Sequence, residues 1–330
     1  MKRIKGVSFG FMAPNGYYSS PEGQAQIQRI CELGVDSVAL IATVVQQRYT
    51  DTLMYADYHH TPSDYELAAA IDAFHKHGIR VMLKPMIECL DSVWRGRISF
   101  PENDMQIEGV VTDYWGAWFG HYTDCMRHYA RLANACGVEF FCAGCELKGC
   151  EPQEERWAAV IAAIRNEYSG IVTYNADQYL PNNGFEKKWY SLLDILGISF
   201  YTGTTRPNPT ADDIASDLRD RAAQIMQLER NIGVPIFFAE CGARSVEGGA
   251  ERPYEYRNVG HYDGDVQAAY LRGVVKAFSP YETWGGLMWW KWDEQQNRAH
   301  YHMPEGDTGF TIHGKPAADA MREWCAEPST

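Results

Sequence analysis

Residues 61–85, TPSDYELAAAIDAFHKHGIRVMLKP, hold one complete helix-to-strand unit. Ser63 stands where its side chain can cap the first amides of a helix, and Glu66 can reach back to the Ser63 amide. The pattern predicts a helix over 63–77. Gly78 then ends it, because glycine tolerates the left-handed conformation that follows a helix C-terminus. The apolar run 80–87 reads as the next strand. The same junction recurs as LGVDS (33–37), CGVEF (136–140) and IGVPI (232–236). Working outward from these junctions, strands are expected at 6–11, 37–45, 80–87, 139–146, 171–175, 195–201, 235–240 and 285–290. They are near-continuous in apolar residues, as strands covered on both faces are. Helices are expected at 21–33, 63–77, 114–136, 152–168, 211–231, 266–278 and 316–325. A weaker one, at 178–191, is interrupted by PNNG. Eight strands with intervening helices predict a (β/α)8 barrel, formed as a single domain over residues 1–330. Neither a Rossmann fingerprint after the first strand nor a P-loop is present. The longest loops, 46–62, 88–113 and 243–265, all follow strands, on the face where a barrel carries its active site.

Of the 330 residues, 45% are hydrophobic and 22% charged, ordinary values for a globular chain. The net charge of −13, without long runs of one sign, argues against nucleic acid and anionic membrane as partners. Ten Trp and 20 Tyr supply core filler, and they also suit a cleft with flat apolar faces, as sugar sites use. No apolar segment of signal-peptide or membrane-spanning length is visible. The nine cysteines lie mostly in apolar segments, like reduced thiols in a cytoplasm. A cytoplasmic location is therefore expected, with a mature secreted form as the alternative.

Chemistry is sought at the C-terminal ends of the strands. The fourth candidate strand, FFCAGCEL (140–147), ends in Glu146, and the seventh, IFFAE (236–240), ends in Glu240. A buried strand that ends in a carboxylate needs a partner or a purpose, because burying an unpaired charge is costly. Facing each other across a barrel mouth, two such groups are what a glycosidase needs: one to protonate the leaving oxygen and one to attack the anomeric carbon. The competing reading pairs each glutamate with a Lys or Arg that stabilises loops. Lys84 and Asn175, read as strand ends, can bond sugar hydroxyls; for Lys84 the competing reading is a salt bridge to Glu88. Trp94 and Arg95 lie on the long third loop, suited to substrate contact.

The order and spacing of KGVSFGF (5–11), residues 61–85, WRGRI (94–98), YARLANACGVEFFCAGCEL (129–147), PIFFAECG (235–242) and GLMWWKW (286–292) resemble glycoside hydrolase family 113, the β-mannanases. That family belongs to a clan of (β/α)8 hydrolases with catalytic glutamates ending strands four and seven. The resemblance implies Glu146 as acid/base and Glu240 as nucleophile. It implies a retaining β-glycoside hydrolase acting on β-1,4-mannan or manno-oligosaccharides, with no cofactor. It also implies Trp290 as an aromatic floor under the sugar, in competition with Trp289 and Trp292, and Tyr201 as a contact to the nucleophile. Cys145 departs from the clan, many of whose members place Asn there to bond the sugar 2-hydroxyl. A thiol is a weak donor and acceptor, so that contact is expected to be weaker, absent or made by Asn175.

Three rivals remain. One is a hydrolase for another β-linked sugar, or an exo-β-mannosidase. Another is a non-catalytic sugar-binding barrel. The third is a metal-dependent barrel, suggested by Cys142, Cys145 and Cys150 and by the pair His300 and His302. Against the last, strand alternation is expected to point Cys142 and Cys145 to opposite faces, and the histidines follow the last strand. No metal is expected. Oligomeric state is not readable from the sequence.

Overall fold

In the computed structural model, residues 2–102, 105–107, 110–181, 184–257, 260–292 and 306–328 are described. Chain order runs β1 (Ile4–Phe9), α1 (Pro21–Glu32), β2 (Ser37–Gln46), the short β3 (Met54–Tyr55), α2 (Asp64–Lys76), β4 (Arg80–Cys89), β5 (Met105–Ile107), β6 (Val110–Thr112), α3 (Tyr114–Ala135) and β7 (Phe140–Cys145). It continues through α4 (Glu154–Glu167), β8 (Ile171–Ala176), β9 (Ile195–Phe200), α5 (Ala211–Asp217), α6 (Arg219–Ile232), β10 (Ile236–Cys241), α7 (Gly264–Phe278), β11 (Gly286–Trp292) and α8 (Pro316–Ala326). The parallel strands pair in the order β1-β2-β4-β7-β8-β9-β10-β11, and β1 also pairs with β11, which closes the sheet into a (β/α)8 barrel.

The capping box before α2 forms as expected: the Ser63 side chain accepts from the Glu66 amide, and the Glu66 carboxylate accepts from the Ser63 amide. Gly78, Gly137 and Gly233 all have positive φ at the helix ends, which spares them the Cβ clash of other residues. Two helices differ from expectation. The segment 178–191 forms no α-helix among its described residues; a 3-10 turn at Lys188–Leu192 connects β8 to β9. The expected helix 211–231 is divided at Leu218 into α5 and α6. Among the described residues no helix is long and apolar enough to cross a membrane.

Apolar side chains separate into shells. The large outer one fills the space between barrel and helices. Inside the barrel, Ile4, Ala39, Met82, Phe140, Cys142, Ile195, Phe237, Ala239 and Met288 form a floor. Nearer the mouth, Ile41, Met86 and Cys145 pack with Phe11 and Trp290. A filled interior leaves the mouth as the place for a ligand.

Candidate active site

Three strands that end at the mouth carry irregularities in pairing near their C-termini. On β7, Cys142 pairs with Thr173 and Cys145 with Asn175, so three steps on β7 face two on β8. On β10, Phe238 pairs with Ile198 but Glu240 with Ser199. On β11, Trp289 pairs with Val7 and Trp292 with Phe9. An extra residue resets the alternation of side chains and re-aims those beyond it. One consequence corrects the sequence reading: Cys142 and Cys145 do not point to opposite faces. Both enter the barrel interior, Cys142 in the floor and Cys145 in the shell above it.

Glu146 and Glu240 line one cleft of about 700 Å³, together with Trp94, Arg95, Tyr201 and Trp290. Glu240 is nearly buried. Its Oε1 accepts from Lys84 Nζ at 2.6 Å and lies 3.4 Å from Cys145 Sγ, and its Oε2 accepts from the Tyr201 hydroxyl at 3.1 Å. Burial opposes its ionisation, but Lys84 and Arg95, with the hydrogen bonds from Lys84 and Cys145, outweigh burial and hold it below the usual glutamate value. Glu146 is pushed the other way. Burial and then the charge of Glu240 raise it, against Arg95 and the Ser199 hydrogen bond. Its Oε1 accepts from Ser199 Oγ at 2.7 Å, and its Oε2 accepts from Arg95 Nη2 at 3.1 Å and Trp94 Nε1 at 3.3 Å. The two carboxyls therefore sit in one cleft with opposed acidities, the arrangement that separates an acid from a nucleophile.

The structure moves several expected sugar contacts one layer down. Lys84 does not end its strand, because β4 continues to Cys89. Its side chain is 0% exposed and bridges Glu240 to Asn175 Oδ1, at 2.7 Å from the latter. It does not pair with Glu88, which pairs with Arg95 instead. Asn175 is also fully buried, its Nδ2 donating to Ser199 Oγ at 3.0 Å. Cys145 is buried against Glu240 and Asn175. Lys84 and Asn175, expected to bond sugar hydroxyls, and Cys145, for which a weak or absent sugar contact is expected, all support the carboxylates from beneath. Arg95, expected to be available to substrate, reaches the cleft wall but is largely buried, with Nε donating to the Cys145 carbonyl at 3.1 Å. Trp94 is 40% exposed in the cleft wall. The competition among tryptophans is settled by the irregularity on β11, not by alternation: Trp289 and Trp292, three apart, both pack in the outer core, while Trp290 turns into the cleft, edge-on to Phe11 at 5.3 Å.

Residues outside the sequence-based set also contribute. Ser199 holds Glu146, and Glu88 holds Arg95. Phe11, Asp177, Gln178, Tyr254, Tyr256 and Lys291 line the cleft. The long loop at 243–265 signalled Tyr254 and Tyr256; nothing local distinguished Ser199 from other strand serines. The loop at 46–62 instead borders a separate cavity of about 600 Å³ beside α3. Among the described residues no cluster of three or more His, Cys, Asp or Glu side chains is arranged for a metal ion. His300 and His302 lie outside the described residues.

Two glutamates of opposed acidity in the mouth of a closed α/β barrel are what a glycoside hydrolase needs. The model of glycoside hydrolase family 113 matches residues 7–315, and the chain belongs to that family. Among solved structures, a GH113 β-1,4-mannanase is similar at 27% identity and TM-score 0.87, over 99% of this chain and 100% of that one. The GH113 β-mannanase from Alicyclobacillus acidocaldarius, in complex with ManMIm, is similar at 29% identity and TM-score 0.87, over 99% of this chain and 98% of that one. A GH5_18 protein from Streptomyces cattleya, in complex with Manb1-4GlcNAc, shares the fold at 15% identity and TM-score 0.64, over 100% and 82% of the two chains. No curated protein matches the chain.

Proposed function

We propose that this chain hydrolyses β-1,4-linked mannan or manno-oligosaccharides with retention of configuration, using Glu240 as nucleophile and Glu146 as acid/base. The opposed acidity of the two carboxyls in one cleft carries the assignment of roles. Membership of family 113 and the mannanase neighbours support the substrate. Glu240, kept ionised by Lys84 and oriented by Tyr201, attacks the anomeric carbon. The bond to the leaving oxygen breaks as that oxygen takes the Glu146 proton. Forming the glycosyl ester removes the negative charge of Glu240, and with it one of the causes that raise Glu146. Glu146 becomes more acidic at the moment its carboxylate is needed to take a proton from water. Water then attacks the anomeric carbon, and the ester bond breaks to restore Glu240. Trp290 supplies an apolar face for the sugar, and Trp94 closes the wall beside Glu146.

Cys145 beneath Glu240 keeps a second reading open: another β-linked sugar, or exo action on mannosides. The thiol is turned to the nucleophile rather than outward, so this chain reads the sugar 2-hydroxyl through other cleft groups. The nine free thiols suit a reducing compartment, which favours a single-domain cytoplasmic enzyme acting on imported oligosaccharides.

The test is reducing-end release from manno-, gluco- and xylo-oligosaccharides, with NMR of the first anomer formed. Activity on manno-oligosaccharides giving the β-anomer first is expected. Failure on every β-mannoside, or the α-anomer first, overturns the proposal. Glu240→Ala is expected to abolish turnover, and Glu146→Gln to lower kcat on unactivated substrates by about 10²–10⁴-fold. Unchanged turnover in either removes that residue from its role.

A further inference from the structure

Glu146 has a positive φ of 52°. For a residue with a Cβ this left-handed backbone is strained, so the surrounding structure must hold it. The hold comes from β8. The Glu146 amide donates to the Asn175 carbonyl at 2.7 Å, and the next amide, that of Leu147, donates to the Tyr174 hydroxyl at 3.0 Å. A phenol that accepts from an amide must send its own proton elsewhere. The Tyr174 hydroxyl donates to Glu151 Oε1, at 3.0 Å.

Every part of this chain of bonds is enclosed. The Tyr174 ring is fully buried and meets the stacked pair Trp157 and Trp189 edge-on, at centroid distances of 5.2 and 4.9 Å. It also lies so close to β7 that a Cβ on Gly144 would come within 2.8 Å of its Cε2. The ring cannot shift, so the direction of its O–H bond is what Glu151 controls. Glu151 is 4% exposed, its amide donates to the Leu147 carbonyl at 3.1 Å, and its carbonyl accepts from Trp189 Nε1 at 3.1 Å. It borders its own cavity of about 150 Å³ with Lys148, Asp177 and Lys187.

We propose that Glu151 is a positioning residue for the acid/base glutamate, acting through the Tyr174 hydroxyl and the Leu147 amide to hold the left-handed turn that aims Glu146. This rests on the reading of Glu146 as acid/base. Burial pushes Glu151 up to about 7, opposed by the Tyr174 hydrogen bond, Lys187 and Lys148, with Asp177 acting in the same sense as burial. Tyr190, the other phenol near it, is raised by burial and then by Glu151.

A buried carboxyl can also be merely structural, and leaving-group chemistry separates the two roles. Phenyl and 2,4-dinitrophenyl β-mannobiosides differ in their need for a proton on departure. With Tyr174→Phe and Glu151→Leu, kcat/KM is expected to fall about tenfold or more on the phenyl glycoside and to stay within about twofold on the dinitrophenyl one. Glu151→Gln, whose amide oxygen still accepts from Tyr174, is expected to recover most of the phenyl activity. Equal losses on both substrates, or none, overturn the inference. Should Glu151→Leu fail to fold, Tyr174→Phe, which removes one oxygen, decides alone. Glu146→Ala is the reference: if it lacks the leaving-group dependence, the acid/base assignment itself fails and this inference goes with it.

Discussion

Lys84 is the residue that most directly favours ionisation of Glu240, the proposed nucleophile. An ammonium buried at the centre of a barrel is tolerated because Glu240 and Asn175 meet it at hydrogen-bond distance, which offsets a desolvation cost that an unpaired ion would bear in full. Its effect on activity has a definite sign. As the proposed nucleophile Glu240 must be ionised to attack, and Lys84 is the foremost of the groups holding it low. In Lys84→Met the Glu240 carboxyl becomes harder to ionise, so the acidic limb of the kcat/KM–pH profile is expected to move up by about 1–3 pH units. An unmoved acidic limb would show that Lys84 does not tune the nucleophile. Sequence reasoning found Lys84 but misplaced it: read as a strand end, it lies in the middle of β4, and nothing local reveals which carboxylate a central lysine will meet.

At the scale of elements, the α2–β4 unit was readable nearly residue by residue. Its signals are local: a hydroxyl and a carboxylate three apart, then a glycine. The capping box also reaches beyond its helix, since Glu66 Oε2 accepts from the Gly16 amide in the loop after β1. Ser63→Ala is expected to lower stability by about 1 kcal/mol, read as a lower urea midpoint with unchanged slope; no change would mean that the box is not stabilising. The strand ends were much less legible. Bulges on β7, β10 and β11 are register relations between neighbours, and alternation along one strand misplaced the faces of Cys142 and Cys145. The connection between β8 and β9 was misread for a related reason: its apolar residues, such as Trp189 and Tyr190, are buried against α4 and β8 by tertiary packing without helical spacing.

For the whole molecule, closure of the barrel brings Glu146 and Glu240, 94 residues apart in sequence, into one cleft. The closing seam joins β1 to β11, and the last helix covers it. Lys5 Nζ donates to the Trp324 and Glu327 carbonyls at the end of α8, at 2.7 and 2.8 Å. The Trp324 ring stacks near Trp284 at 6.2 Å. Trp324→Ala is expected to cost about 3–5 kcal/mol, measured by denaturant unfolding; a loss under about 1 kcal/mol would mean that the seam does not depend on α8.

The sequence by itself determined the alternation of strands and helices, the barrel class and the two glutamates at strand ends. Those features are carried by apolar continuity, capping chemistry and glycine stops that act within a few residues. Tertiary structure alone decided which groups surround each glutamate. It placed Lys84 and Cys145 under Glu240, Arg95 and Ser199 on Glu146, and Trp290 rather than Trp289 or Trp292 in the cleft. The reason is physical: acidity depends on burial and on charges a few ångströms away, and those neighbours come from strands whose register is set only when the barrel closes.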